Sequence, residues 1–298
     1  MKKNTEKSYF IRRLQLMWQR NYAMLIASVL FAALAVYTLW GEPDELQITE
    51  YTFEHELVTA QLDNTVIAFA ADIHFNSRRM KLWQKLINAL NDHPEVKILL
   101  LGGDMVNGNN RGLPPDKLLA TFKQLKNIQH IYSIPGNHEY RWRQGGIQSI
   151  KRFFDNNNIP LLFDRSVILS SNGGRFNLIG LDFMTNPHGR KNKKRFTRLF
   201  RDDMLNVVLT HTPEDFPFLP EQSHLILAGH THGGQIHIPL LGSAINPPGY
   251  SRKYSYGRIE KDQKTLLVTS GLGSAYTQAR FCMKPEIVLI TLKSRNKK

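Results

Sequence analysis

Gly136-Asn137-His138-Glu139 and Gly229-His230-Thr231-His232 decide the reading of this chain. Upstream stand Asp72-Ile73-His74 and Gly103-Asp104, and His211 lies alone between the two quoted stretches. Each motif follows an apolar run of strand length. Residues 65–71 run into Asp72, 97–101 into Gly102-Gly103-Asp104, and 129–134 into Pro135-Gly136-Asn137-His138. Residues 206–210 run into His211, and 224–228 into Gly229-His230. Continuous apolar runs of this length fit strands buried on both faces. Helix-like patterns over 79–91, 115–127 and 144–156 alternate with the first three runs, so the first half reads as parallel βαβ units. In such sheets ligands gather at the carboxyl ends of the strands, where all five polar stretches sit.

The residue types say what gathers there. Two carboxylates, an amide and several imidazoles are the oxygen and nitrogen donors of a hydrolytic centre that holds two divalent ions about 3.5–4 Å apart. Each piece alone is common by chance. The ordered set, with every member at the end of a strand-like run, is not.

With these motifs the chain resembles a calcineurin-like metallophosphoesterase over about residues 48–293. Gly229-His230-Thr231-His232-Gly233-Gly234-Gln235, Asn246-Pro247-Pro248-Gly249-Tyr250 and Gly271-Leu272-Gly273 are similar to the membrane-anchored bacterial branch. That branch includes YkuE- and YaeI-like phosphodiesterases and chlamydial-type UDP-2,3-diacylglucosamine hydrolases. The resemblance implies an α/β fold, a four-layer αββα sandwich. The later apolar runs, 167–169, 176–179, 266–269 and 287–292, would then supply its second sheet. It implies that Asp72, His74, Asp104 and His232 hold one metal, and that Asp104 bridges to a second held by Asn137, His211 and His230. His138 would be the catalytic acid rather than a ligand, and a general acid of this kind is worth about 10²–10⁴ in rate. Glu139 stands where the family often has Asp. A donor set without thiolate favours Mn, Fe or Zn as the two divalent ions.

The second informative stretch is 22–40, nineteen residues without a charge. As a helix it is about 28 Å long, close to the ~30 Å hydrocarbon core of a bilayer. Tyr22, Tyr37 and Trp40 suit its interfaces. Lys2, Lys3, Lys7, Arg12, Arg13 and Arg20 precede it, and Glu42, Asp44 and Glu45 come after it. The expected organisation is a basic cytoplasmic segment (1–21), a transmembrane helix (22–40) and a metallophosphoesterase domain (46–293). The positive-inside rule puts that domain outside the cytoplasm, as a single-pass inner-membrane protein. Arg12-Arg13 is a partial twin-arginine signal. The only Ala-x-Ala of the N-terminal segment, Ala33-Leu34-Ala35, lies inside the apolar run, which opposes cleavage there.

Net charge is +14, from 39 Lys and Arg against 25 Asp and Glu. The densest basic patch, residues 190–195 with Arg198 and Arg201, reads as a solvated loop or an anionic-membrane contact; nucleic acid as partner ranks below both. The lone Cys282 excludes an internal disulfide and is expected to be a small buried residue. Arg78 and Arg79 read as surface charge at a helix start. His188 and His237 lie near the motif loops but outside the ligand set. Tyr250, Tyr254 and Tyr256 either line a lipid groove or pack. The expected function is a membrane-anchored dinuclear-metal hydrolase acting on a phosphodiester or pyrophosphate bond of a lipid-linked or membrane-proximal substrate. Two alternatives are a UDP-2,3-diacylglucosamine hydrolase of lipid A biosynthesis at the cytoplasmic face, and an anionic-lipid-binding protein with an inactive site. Intact Asp104, Asn137 and His138 oppose the last.

Overall fold

Strands whose two faces are both apolar must be covered on both sides, and the fold follows from that. The computed structural model describes residues 2–75, 79–108, 115–142, 145–183, 196–243, 252–275 and 277–295. One sheet holds β1 (Gln47–His55), β13 (Glu286–Ser294), β2 (Val66–Ala70), β3 (Ile98–Leu101) and β4 (His130–Ser133), in that spatial order. β2, β3 and β4 are parallel, and β13 enters between β1 and β2, antiparallel to β2. The other sheet runs β11 (Gly257–Lys261), β12 (Lys264–Val268), β8 (Leu225–Ala228), β7 (Asn206–Leu209), β6 (Gly174–Gly180) and β5 (Arg165–Ser171). Its four central strands are parallel.

Alternate residues of each strand feed alternate cores. Ile67 and Phe69 of β2 meet Val207, Leu209, Leu225 and Leu227 of the second sheet in a core between the sheets. Ala68 and Ala70 of the same strand face outward. There they join Trp83, Leu86 and Leu90 of α2 (Met80–Asn91) and Ile150 and Phe154 of α4 (Gly146–Asp155). Val208, Ile226 and Val268 face the opposite way, against Phe196, Leu199, Phe216 and Leu219. This gives the four layers; among the described residues the outermost one carries the 3-10 turn Pro213–Phe218.

Three details differ from the sequence reading. Residues 287–292 join the first sheet rather than the second, because a run buried on both faces does not say which sheet it enters. The helix expected over 115–127 stops earlier, as α3 (Pro115–Phe122). Beyond it the chain turns to the end of α2, where the Lys126 amide donates to Asn91 Oδ1 and the Asn127 side chain to Asn91 O. Cys282 is exposed, at φ +51°, in the loop before β13.

The N-terminal helix α1 (Lys2–Val36) continues through a π-turn, Tyr37–Gly41, into the 3-10 turn Glu42–Asp44. Residues 12–44 are long and apolar enough to cross a membrane, by length and composition. The end of this helix docks onto the domain. Arg280 N–H donates to Thr38 O at 2.9 Å, and the buried Glu42 carboxylate accepts the Met283 N–H at 2.6 Å. Arg79 pairs with Asp44 at 3.3 Å and donates to Leu39 O, so it is a clamp on the helix end rather than a free surface charge. Arg78, His188, Tyr250, residues 190–195 and residues 246–250 lie outside the described residues.

Candidate metal centre

β2, β3 and β4 of the first sheet and β6, β7, β8 and β12 of the second deliver their carboxyl ends to one edge of the sandwich. There the chain turns back through left-handed backbone: φ is +50° at Asp72, +39° at His74, +53° at Asp104, +71° at His230 and +51° at His232. Such conformations cost a non-glycine residue, and Asp and His tolerate them better than bulky residues do. Two motif glycines are explained by closeness. A Cβ at Gly136 would collide with Asp104 Oδ1, and one at Gly229 with Asp72 Oδ2.

The seven expected ligands converge. Asp104 Oδ2 lies 3.6 Å from His74 Nε2 and 3.4 Å from His211 Nε2. On one side His232 Nε2 is 3.3 Å from His74 Nε2 and 3.6 Å from Asp72 Oδ1. On the other, His211 Nε2 is 3.2 Å from Asn137 Oδ1 and 3.1 Å from His230 Nδ1. Asp72, His74 and His232 therefore form one group of metal-competent atoms, and Asp104, His211 and His230 another. His74, Asp104 and His138 also lie close enough to form a third. His138 differs in its hydrogen bonding: its Nδ1 accepts the Gly108 N–H at 3.2 Å. That bond leaves the ring proton on Nε2 of the neutral imidazole, so in this arrangement Nε2 is a hydrogen-bond donor. His211 shows the opposite arrangement. Its Nδ1 donates to Gly102 O at 2.8 Å, which leaves Nε2 as the nitrogen that a metal would take in place of a proton.

The electrostatics fit a cation. Asp72 Oδ1, which faces His232 Nε2 at 3.6 Å, is buried without a hydrogen-bond partner, an arrangement that is costly unless something charged completes it. Burial pushes the Asp72 carboxyl up to about 7. Burial also pushes His74 and His230 down to about 3, and His232 well below the usual range, so these rings are neutral nitrogen donors. His211 goes the other way, up to about 10, because the Asp104 charge outweighs its burial. Burial alone would raise Asp104, yet the His211 and His74 rings hold it well below the ordinary carboxylate range.

Several supporting residues carried no such signal in the sequence. The buried Glu139 carboxylate accepts three backbone amides: Gly136 at 2.7 Å, Asp104 at 2.8 Å and Val106 at 3.1 Å. Arg280, fully buried, donates to the carbonyls of Met283, Ser270, Gly271 and Gly273. It thereby holds the 271–273 turn, whose Gly273 N–H donates to Asp72 O at 2.7 Å. Phe183 stands edge-on to His211 as a wall of the centre. His237 falls in none of the metal-competent groups. Tyr254 packs on Phe216, and Tyr256 donates to Glu286.

Comparison with known proteins agrees with this geometry. The chain is 25% identical to the metallophosphoesterase YkuE of Bacillus subtilis over 269 residues, which cover 87% of this chain and 90% of that one. It is 26% identical to the phosphodiesterase YaeI of Escherichia coli over 230 residues, 76% of this chain and 81% of that one. A further relative, the metallophosphoesterase YkoQ of Bacillus subtilis, is 26% identical over 228 residues, covering 74% and 81%. The model of the calcineurin-like phosphoesterase family matches residues 65–234, a span that opens just before the Asp72 strand and closes just after His232. By that match, over more than half its length, the chain belongs to the calcineurin-like phosphoesterases.

Proposed function

We propose that this phosphoester hydrolase is anchored in a membrane and uses two divalent ions to cleave a phosphodiester or pyrophosphate bond. Its substrate is lipid-linked or membrane-proximal, and its catalytic domain lies outside the cytoplasm. The observation that carries the two-ion reading is Asp104, whose Oδ2 stands between His74 Nε2 at 3.6 Å and His211 Nε2 at 3.4 Å. One carboxylate oxygen placed between two donor groups supports a shared bridge. Asp72, His74 and His232 would complete one ion, and Asn137, His211 and His230 the other. When bound, the ions supply Lewis-acid stabilisation of phosphate charge and a water of near-neutral pKa.

The chain's own groups do the rest. Asn137 contributes a neutral oxygen, so the centre keeps net positive charge for an anionic substrate. His138 is half-buried beside His74, and with Nδ1 occupied by the Gly108 amide its Nε2–H would serve as proton donor to the departing oxygen. The His138 N–H donates to Asp104 Oδ1 at 2.7 Å, so the acid and the shared carboxylate are positioned as one unit.

The full chain, purified in detergent, should hydrolyse bis-(p-nitrophenyl) phosphate with added Mn²⁺ and stop when a chelator is added. Turnover that survives thorough chelation would overturn the two-ion reading.

A further inference from the structure

A second apolar element sits beside the end of the N-terminal helix. β9 (His237–Ile238) and β10 (Gly242–Ser243) form a short hairpin whose tip is Ile238-Pro239-Leu240-Leu241. Leu241 N–H donates to Ile238 O at 3.0 Å, and Leu240 has φ +69°. With Pro239 in the second position this is the pattern of a type II turn, whose third position favours glycine or asparagine. Here that position holds a leucine at 106% relative exposure, with Leu241 beside it at 73%. Backbone cost and contact with water both disfavour leucine there.

Single exposed apolar residues are ordinary; this tip is a cluster without a polar member. Outside the N-terminal helix, the exposed large apolar side chains among the described residues are Ile48, Met80, Ile168 and three on this one hairpin. The base of the hairpin is tied to the helix end through one loop. His237 N–H donates to Phe281 O at 2.8 Å, Ile236 bridges to Phe281, and the next residue back, Arg280, donates its N–H to Thr38 O. Trp40, at 65% exposure, lies on the helix side of that junction.

We infer that the 238–241 tip is a second membrane contact: an apolar wedge that enters the interfacial layer of the same bilayer the helix crosses. This rests on the membrane-anchored reading above. The occupant of the apolar tip is lipid, because the base of its hairpin is tied through the 280–281 loop to a helix end that such a bilayer already surrounds. The hairpin comes directly after the His230–His232 turn in the chain, so the wedge sets the height of that turn above the lipid headgroups. Two attachment points, helix and wedge, then fix the orientation of the catalytic edge as one point would not.

The test uses the full chain with Cys282→Ser, reconstituted in phosphatidylethanolamine–phosphatidylglycerol vesicles. Single cysteines at Leu241, Val29 or Glu221 carry a polarity-sensitive fluorophore. Glu221 precedes β8 and so lies at the opposite edge from the metal centre. Nitroxide lipids labelled near the headgroup end of the acyl chain should quench Leu241→Cys by about half or more, because a wedge seated ~5–10 Å into the headgroup–acyl boundary is within their reach. Glu221→Cys should be unaffected. Quenching at Val29→Cys with Leu241→Cys behaving like Glu221→Cys would overturn the wedge and leave the span standing. Blue-shifted but unquenched emission at Leu241→Cys would mean burial against protein, a second copy included, and would also overturn it. No quenching at either Val29 or Leu241 would overturn the span, and the wedge with it.

Discussion

Glu139→Gln isolates the part of the centre that touches no substrate. In the structure Oε2 of Glu139 accepts the Asp104 amide at 2.8 Å and the Gly136 amide at 2.7 Å, and Oε1 accepts Val106 at 3.1 Å. A glutamine fits the same space. Its best orientation keeps the oxygen on Asp104 and Gly136 and turns the NH₂ toward the Val106 N–H, donor against donor. One buried donor left without a partner costs about 1–3 kcal/mol. The two retained bonds lose their charge assistance, roughly half their strength, so the total is about 2–4 kcal/mol. For a domain of this size 1 kcal/mol shifts Tm by about 2–4 °C, so Tm should fall by roughly 4–16 °C. The bond to Asp104 pins a residue at φ +53°. Loosening it should also raise the Mn²⁺ concentration needed for half-maximal turnover. Scanning calorimetry and a Mn²⁺ titration of phosphodiesterase activity on the full chain measure both effects. A Glu139→Gln protein with unchanged Tm and unchanged Mn²⁺ requirement would refute the claim that Glu139 pins the centre.

The same geometry sets other outcomes. Asp104→Asn should lose bound metal and activity together, whereas His138→Gln should keep two ions per chain by elemental analysis while activity falls about 10²–10⁴-fold; metal loss in His138→Gln would reassign it as a ligand. Above pH 6.5 the chelated protein should lose stability. Burial raises Asp72 to about 7 and Asp104 raises His211 to about 10, so each contributes stability at low pH that is lost as pH rises through its folded pKa. A Tm of the chelated protein that climbs from pH 6.5 to 8 would contradict this. An alkaline phosphatase fusion after Glu45 should be active, because the basic residues before Tyr22 favour export of the C-terminal side of the helix; an inactive fusion would place the site on the cytoplasmic face and favour a UDP-linked lipid substrate.

The convergence of the candidate ligands was legible because each is a polar residue at or just past the end of an apolar run, and that pattern is local in the chain. Glu139 and Arg280 were not legible as supports. Their partners are backbone amides and carbonyls, which every residue carries, so no side-chain type marks them. The entry of β13 between β1 and β2 was hidden for a related reason. An apolar run shows that both faces are covered and leaves its neighbours undetermined. At Cys282 residue type misleads; the loop it occupies turns its side chain outward at φ +51°.

The docking of the helix end has a mechanical consequence. Thr38, Glu42 and Asp44 are all bonded to the domain, and β1 begins at Gln47, so hardly any chain is left to act as a hinge. Helix and catalytic edge lean together. On the membrane-anchored reading proposed above, a thinner or thicker bilayer would change the tilt of the helix, and with it the angle that the catalytic edge and the 238–241 tip make with the lipid plane. Acyl-chain length should then alter the turnover of a substrate held in the bilayer and leave that of a freely diffusing diester unchanged.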